Sequence, residues 1–245
     1  MNEANLPPPE RAPARDHAWR MFDRIAPRYD LLNRLLSCGQ DVRWRRALAE
    51  SVADARFERL LDAATGTGDV LMAVAGSGGR FCTGVDMAGE MLERAREKLR
   101  AYPAGGGSFA LARCDACELP LASGSFDAVT IAFGIRNVSD VGRALREMFR
   151  VIRPGGRLAV LEFSLPASRA TRMAYLLYFR RVLPVIGGLI SGDYAAYRYL
   201  NRSVEAFPYG QAFCDIMIDS GFHDVAARPL TCGVATIYTG EKTRA

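Results

Sequence analysis

The stretch that decides the fold is Asp62-Ala63-Ala64-Thr65-Gly66-Thr67-Gly68-Asp69. It follows a short apolar run at residues 59–63 and precedes a helical pattern at residues 70–75. Its glycines let the backbone turn sharply and approach a ligand closely, and the first turn of the following helix offers free N–H groups. The stretch therefore predicts a strand, a ligand-binding turn and a helix, although an ordinary tight turn would also explain the glycines.

Strands and helices go on alternating after this turn. Further strand patterns lie at residues 80–85, 108–113, 128–133 and 158–163. Further helical patterns lie at residues 90–101, 141–152 and 211–220. Two final runs at 224–227 and 234–239 predict an antiparallel hairpin at the sheet edge. Such alternation is typical of an open α/β sheet with helices on both faces.

Three segments lie outside the alternation. Residues 1–16 are rich in Pro, Ala and Arg and predict a disordered arm. Helical patterns fill residues 17–53, on both sides of a break at Gly39. Residues 166–208 interrupt the rhythm with an aromatic, arginine-rich helical stretch. We therefore expect a single domain over residues 17–245 that carries an insertion at about 166–208.

The composition excludes several classes of protein. The net charge of +5 would suit a nucleic-acid-binding protein. Two observations argue against that class: lysine occurs only at Lys98 and Lys242, and the arginines are interleaved with 27 acidic residues. No apolar run is long enough for a membrane span, and no export signal is evident, so we expect a cytoplasmic protein with cysteines as thiols. A weak attraction to an anionic membrane surface stays open.

The glycine turn does not fit the common phosphate-binding motifs. A dinucleotide fingerprint needs a third glycine where this chain has Leu71, and a P-loop needs a lysine that is absent nearby. The carboxylates of Asp62 and Asp69 flank the loop, where they would repel phosphate and attract a cation. S-adenosylmethionine, which carries a sulfonium and an ammonium, is a ligand of that kind.

Two further aspartates follow the next two predicted strands. Asp86, about twenty residues after the glycine turn, could accept hydrogen bonds from both ribose hydroxyls of an adenosine, although a strand-end aspartate can also be a helix cap. Asp115 is placed to face an adenine amine. Cys114 and Cys117 form one CxxC pair without a second pair or a nearby histidine, so we predict no metal.

At this point the chain resembles the class I S-adenosylmethionine-dependent methyltransferases, through Asp62-x-Ala64-x-Gly66-x-Gly68, Asp86, Asp115-Ala116 and the Arg153-Pro154-Gly155-Gly156 turn. More narrowly, it resembles the quinone C-methyltransferases of menaquinone and ubiquinone biosynthesis, through Ala26-Pro27-Arg28-Tyr29-Asp30, Phe133-Gly134-Ile135-Arg136-Asn137-Val138, Leu161-Glu162-Phe163-Ser164 and Tyr197-Arg198-Tyr199-Leu200. The likeness runs from about Phe22 to Gly240. Two departures are Ala64, where class I enzymes usually have Gly, and Ala132, where many relatives have Ser.

The resemblance implies a doubly wound, mostly parallel seven-stranded sheet with N-terminal helices and a helical lid insertion. It implies transfer of a methyl group from S-adenosylmethionine to demethylmenaquinol, with the benzoquinol precursor of ubiquinone, or both, as the alternative. Two hypotheses remain as alternatives. The protein could methylate another small acceptor, such as a sterol or an amine, or it could be a non-catalytic binding module. The residues expected to bind the cofactor are Asp62, Gly66, Thr67, Gly68, Asp86, Asp115 and Ala116.

The expected catalytic residues are Arg136, Asn137 and Tyr29. Arg136 could stabilise a phenolate oxygen or relay its proton through water, but it is a poor base by itself. Tyr29 could orient a quinol hydroxyl. A structural ion pair for Arg136 and helix packing for Tyr29 are the alternatives.

The insertion at 166–208 predicts a membrane-facing lid, because apolar and aromatic side chains alternate there with arginines. We expect Tyr178, Phe179 and Leu183 to enter the lipid boundary while the isoprenoid quinol stays in the bilayer. A capping helix pair or a homodimer interface would have the same composition.

Overall fold

The computed structural model describes residues 17–53, 58–76, 80–102, 107–185, 187 and 193–244. The predicted arm at residues 1–16 lies outside this range, as does part of the predicted insertion, residues 186 and 188–192. The strands are β1 (Arg59–Ala63), β2 (Phe81–Asp86), β3 (Ser108–Arg113), β4 (Phe126–Ala132), β5 (Ile152–Phe163), β6 (His223–Leu230) and β7 (Ala235–Glu241).

The main α-helices within the described ranges are α1 (Ala18–Ile25), α2 (Tyr29–Leu36), α3 (Gln40–Ala53), α4 (Asp69–Ala75), α5 (Gly89–Ala101), α6 (Val141–Val151), α7 (Arg169–Leu177), α8 (Tyr194–Ala206) and α9 (Gln211–Asp219). Asp140 caps α6, because its side chain accepts a hydrogen bond from the backbone N–H of Arg143. A π-helical turn, Tyr178–Val182, continues α7.

The seven strands form one sheet in the order β3-β2-β1-β4-β5-β7-β6. The first five strands pair in parallel, and β7 is antiparallel to both β5 and β6. The predicted α/β sheet and its antiparallel hairpin are confirmed, with β6 at the edge and β7 one strand inside. The strand order reverses between β1 and β4, and the carboxyl ends of parallel strands at such a point form a crevice for ligands.

Two strand boundaries differ from the sequence prediction. β4 begins at Phe126 and ends at Ala132, because Phe133 adopts the left-handed conformation (φ 56°) and cannot continue the strand. β5 begins at Ile152, before the predicted turn at 153–156. That turn is a register shift within the strand, since Ile152 lies opposite Phe126 and Arg157 lies opposite Ala128.

The N-terminal helices and the insertion pack together at the carboxyl edge of the sheet. Their shared cluster buries Met21, Leu32, Phe179, Leu183 and Tyr199. The expectation that Phe179 and Leu183 enter lipid is therefore wrong: they are 2% and 4% exposed, because they turn inward onto α1, α2 and α8. No helix within the described ranges combines the length and apolar composition needed to cross a membrane.

The loop after β1 comes close to the loop after β4 at Ala64. Ala64 is left-handed (φ 50°), a conformation that glycine adopts without cost, which explains the glycine usual at this position. A Cβ added to Gly134 would lie 2.5 Å from the Cβ of Ala64. Only one of these two positions can therefore carry a side chain.

We expect Gly134→Ala to lower the free energy of unfolding by about 2 kcal/mol, the usual cost of overpacking. Gly134→Ala combined with Ala64→Gly should recover most of that loss, because it removes the colliding methyl group. Urea unfolding of both variants measures the coupling. Gly142→Ala on α6 is the control, since its Cβ would meet chiefly the flexible end of Arg146. A double variant as unstable as Gly134→Ala would contradict the contact.

Candidate active site

Two adjoining cavities open at the carboxyl edge of the sheet. The first encloses about 790 Å³, open to solvent at its mouth, among α1 and the loops after β1, β2, β3 and β4. The second encloses about 950 Å³, also partly open, and α1, α2, α7 and α8 contribute its largely aromatic wall. Phe22, Tyr29 and Phe133 line both cavities. Both cavities combine apolar and aromatic side chains with a few polar groups, as sites for organic ligands do.

The first cavity is built on Asp86 and Gly66. The N–H of Gly66 donates to Oδ2 of Asp86 (2.8 Å), and the N–H of Ala88 donates to Oδ1 (2.8 Å). Burial raises the pKa of Asp86, and these N–H groups oppose the shift. Gly66 is left-handed (φ 56°), and a Cβ there would point into open space. The carboxylate thus shapes the loop and still has lone pairs to accept ligand hydroxyls.

Asp115 and Ala116 line the same cavity after β3. Oδ1 of Asp115 accepts a hydrogen bond from the N–H of Cys117 (2.8 Å), which holds the carboxylate in place. Four of the residues expected to bind cofactor therefore meet around one cavity: Gly66, Asp86, Asp115 and Ala116.

The other three expected residues, Asp62, Thr67 and Gly68, do not line that cavity. Asp62 lies beneath the loop, 1% exposed, and its Oδ1 accepts from the Thr130 hydroxyl (2.7 Å). Burial raises the pKa of Asp62 to about 7. Within the described ranges its Oδ2 has no hydrogen-bond partner. Gly68 precedes α4, and the Thr67 hydroxyl donates to Asp30 (2.6 Å).

An ionic cluster that sequence reasoning missed ties the N-terminal helices to the glycine loop. Lys98 on α5 donates to Asp30 on α2 (2.8 Å) and to Asp69 at the start of α4. Arg45 on α3 pairs with Asp41 (2.6 Å) and lies 3.4 Å from Asp69. The expectation that Asp69 draws a cationic ligand is therefore wrong, because two side chains of the chain already neutralise its charge.

Arg136 lies just beyond β4 and lines the second cavity, although it is only 4% exposed. Its Nη1 donates to Oε1 of Glu162 (2.7 Å) and to the carbonyl of Phe133 (2.6 Å). Its guanidinium carbon lies 5.4 Å from the ring centroid of Phe163. Burial raises the pKa of Glu162, and the arginine opposes the shift. The structural ion pair is thus present, and it holds a cation at the cavity wall.

The other two catalytic candidates take different places. Tyr29 stands where the cavities meet, and burial raises the pKa of its hydroxyl while Arg45 opposes the shift. Asn137 lines the first cavity. Its amide donates to the carbonyl of Phe133 (3.2 Å) and accepts from the Tyr199 hydroxyl (3.1 Å). Arg136 and Tyr29 therefore share the second cavity, and Asn137 and Tyr29 share the first.

Among the residues that the structure describes, no three His, Cys, Asp or Glu side chains come together as a metal site. Cys114 and Cys117 are free thiols, and the Sγ of Cys117 lies 3.4 Å from the Ser139 hydroxyl.

Comparison with known proteins first defines the class. A solved S-adenosylmethionine-dependent methyltransferase from Thermotoga maritima matches 93% of this chain and all of its own length, with a TM-score of 0.62 and 20% identity. The fold is therefore the one that these methyltransferases have, and the class I fold implied by the sequence motifs is confirmed.

The family follows from sequence. Residues 14–242 match the model of the ubiE/COQ5 methyltransferase family, and the chain belongs to it. It is 50% identical to the demethylmenaquinone methyltransferase of Thermus thermophilus, over 91% of this chain and all of that relative. It is 48% identical to the ubiquinone/menaquinone biosynthesis C-methyltransferase UbiE of Geotalea daltonii, over 91% of this chain and 94% of that relative.

The Arg136–Glu162 pair generates a stability prediction. Glu162→Leu should lower the free energy of unfolding by about 3–5 kcal/mol, because it leaves a buried guanidinium uncompensated. Glu162→Leu combined with Arg136→Met should be close to wild type, because no buried charge remains. Chemical denaturation of both variants measures this coupling.

The exposed pair Arg180–Glu205 provides the control. Glu205→Leu should cost under about 1 kcal/mol, as surface ion pairs do. A double variant no more stable than Glu162→Leu would contradict the coupling.

Proposed function

We propose that this chain methylates a ring carbon of a reduced, demethylated isoprenoid quinone, with demethylmenaquinol as the first candidate and S-adenosylmethionine as methyl donor. The observation that carries the proposal is the pair of cavities that meet at Tyr29 and Phe133. One presents carboxylates and a glycine loop, and the other presents aromatic walls and a buried arginine. The names of the relatives support this reading, and they support a benzoquinol acceptor as well.

The first cavity fits the methyl donor. When bound, S-adenosylmethionine supplies an electrophilic methyl group from its sulfonium. Asp86 would accept hydrogen bonds from the ribose hydroxyls, Asp115 would face the adenine amine, and the bare Cα of Gly66 leaves room for the ligand. Asp62, whose buried Oδ2 has no partner within the described ranges, would compensate a nearby ammonium. Ala132 lines this cavity without the hydroxyl that a serine would offer.

The chemistry of the acceptor requires the reduced ring. Loss of one quinol hydroxyl proton to water at the open side of the cavity would push electron density onto the neighbouring ring carbon. That carbon would form the new carbon–carbon bond as the bond between the methyl carbon and the sulfonium sulfur breaks, which leaves a neutral thioether. That carbon afterwards loses its own hydrogen as a proton, which restores the aromatic ring. The oxidised quinone is itself an electrophile and cannot react in this way.

Arg136 and Tyr29 would act on the quinol oxygen beside the accepting carbon. A guanidinium stays protonated, so Arg136 stabilises the phenolate without accepting its proton. Its side-chain hydrogen bonds within the described ranges use Nη1, toward Glu162 and Phe133, and Nε, toward Ser203, so Nη2 would be the donor to the ligand. Tyr29, at the junction of the two cavities, would align the ring, and alignment supplies much of the acceleration in such a transfer. Asn137, whose amide donates to the carbonyl of Phe133, would stabilise the loop after β4 from the side of the first cavity.

The Arg136→Met/Glu162→Leu double variant tests this role without leaving a buried charge. Its turnover number should fall at least about a hundredfold, the scale on which one transition-state donor acts. Its dissociation constant for S-adenosylmethionine should stay close to wild type, because Arg136 lies in the other cavity. Labelled-methyl assays with dithionite-reduced naphthoquinol and benzoquinol measure turnover, and calorimetry measures cofactor binding.

The matched control is Arg180→Met/Glu205→Leu, which removes the exposed ion pair of the insertion and should keep full turnover. Equal loss of cofactor binding in the Arg136 double variant would assign Arg136 a structural role. Turnover by wild type on oxidised quinone would refute the quinol mechanism. Cofactor binding without turnover on any quinol would favour the binding-module reading.

We also propose that the insertion at 166–208 forms a lid that touches an anionic membrane surface. The outer faces of α7 and α2 expose Met173 and Leu177, and Leu31 and Leu35. These helices adjoin, since the Tyr178 hydroxyl donates to the carbonyl of Leu36 (3.0 Å). Exposed arginines on the same segments match anionic headgroups: Arg34, Arg169 and Arg181. An isoprenoid substrate that stays in the bilayer gives such a contact its purpose.

Met173→Ser with Leu177→Ser should reduce co-sedimentation with phosphatidylglycerol vesicles at least about fivefold, because two lipid-facing side chains are lost. The matched control is Phe81→Ser with Ile218→Ser, which changes exposed apolar residues outside the insertion and should leave vesicle binding intact. Unchanged binding by the Met173 and Leu177 variant would refute the membrane contact. A loss of dimer in sedimentation velocity instead would assign this face to a second copy of the chain.

A further inference from the structure

Tyr175 contributes a buried hydroxyl to the second cavity. Its side chain comes from α7, and its ring stacks on Phe179, with centroids 5.1 Å apart and planes 22° apart. In the part of the chain that the structure describes, this hydroxyl has no hydrogen-bond partner. Burying a hydroxyl in this way is unfavourable unless a ligand or a water satisfies it.

The other two tyrosines that wall only this cavity are already satisfied. The Tyr178 hydroxyl donates to the carbonyl of Leu36 (3.0 Å), and the Tyr199 hydroxyl donates to Asn137 (3.1 Å). Of these three tyrosines, Tyr175 is therefore the one whose hydroxyl is available to a ligand.

An aromatic ladder connects Tyr175 to Arg136. Phe179, on which Tyr175 stacks, lies 6.5 Å from Phe163, and the guanidinium of Arg136 lies 5.4 Å from the Phe163 ring centroid. Both polar groups therefore border one apolar space, which aromatic rings line. Burial raises the pKa of Tyr175, so its hydroxyl remains a neutral donor.

A para-quinol carries two oxygens on opposite sides of its ring. The oxygen beside the accepting carbon must carry the negative charge, whereas the one across the ring keeps its proton. We propose, resting on the function proposed above, that Tyr175 donates a hydrogen bond to the oxygen across the ring. Tyr175 and Arg136 then hold the ring at both ends, and this selects acceptors with two para oxygens over simple phenols.

The experiment compares two ligands on two proteins. The ligands are a prenylated naphthoquinol and a matched naphthol that keeps the hydroxyl beside the accepting carbon but lacks the one across the ring. Wild type should bind the quinol about tenfold more tightly than the naphthol, the effect of one buried hydrogen bond. Tyr175→Phe should bind both ligands alike, because it has lost the donor. Competition against the quinol in the labelled-methyl assay gives these affinities.

Tyr178→Phe is the matched control, because it removes a hydroxyl from the same cavity wall. It should keep the preference for the quinol and should melt at a lower temperature than wild type, since its hydroxyl bonds Leu36. Tyr175→Phe should melt no lower than wild type without ligand, because its hydroxyl leaves no partner behind.

Three outcomes would overturn the assignment of Tyr175. These are an unchanged quinol preference in Tyr175→Phe, an equal loss for both ligands, and a lowered melting temperature of the ligand-free variant. Failure of wild type to methylate any quinol would instead refute the proposed function, and the melting comparison would still report whether the Tyr175 hydroxyl is unpartnered.

Discussion

Arg136 carries a positive charge where only 4% of the residue is exposed, and such a charge is stable only if a partner and hydrogen bonds compensate its lost hydration. Glu162 on β5 supplies that partner, and the carbonyl of Phe133 supplies a further acceptor. The pair joins the loop after β4 to the neighbouring strand. The chemistry that the aromatic cavity can support therefore depends on this interaction, because it keeps a cation in the cavity wall.

A second electrostatic connection holds the N-terminal helices over the sheet. Asp30 receives hydrogen bonds from Thr67 in the glycine loop and from Lys98 on α5. These hydrogen bonds thereby position Tyr29, the neighbour of Asp30, where the two cavities meet. A helix outside the sheet thus completes both binding sites, and the sheet alone would provide only the carboxylates and the loop.

The sheet could be predicted because each parallel strand is an apolar run followed by a turn or a helix, as at β1 and its glycine turn. Asp86 and Asp115 could be assigned to one edge, because parallel strands end on the same side. The Lys98–Asp69 contact could not be predicted from the sequence. It joins residues 29 apart, and only the packing of their helices brings them together. The inward direction of Phe179 was missed for a similar reason: composition shows that a helix is aromatic, and only its neighbours show which face is buried.

The wall that Tyr29 and Phe133 share has a consequence for how the two ligands communicate. A side chain that borders both sites loses conformational entropy when the first ligand binds. The second ligand then binds to a side chain that is already ordered, so its binding carries less of that entropic cost. The affinity gain is mutual: if the methyl donor tightens the hold on the ring, the ring tightens the hold on the donor by the same factor. Methyl transfer converts the donor's sulfonium into a neutral thioether, so the product complex loses the attraction between that cation and the buried carboxylates. Because the coupling is mutual, weaker binding of the demethylated donor would also weaken binding of the methylated ring. The shared wall would thus favour release of both products.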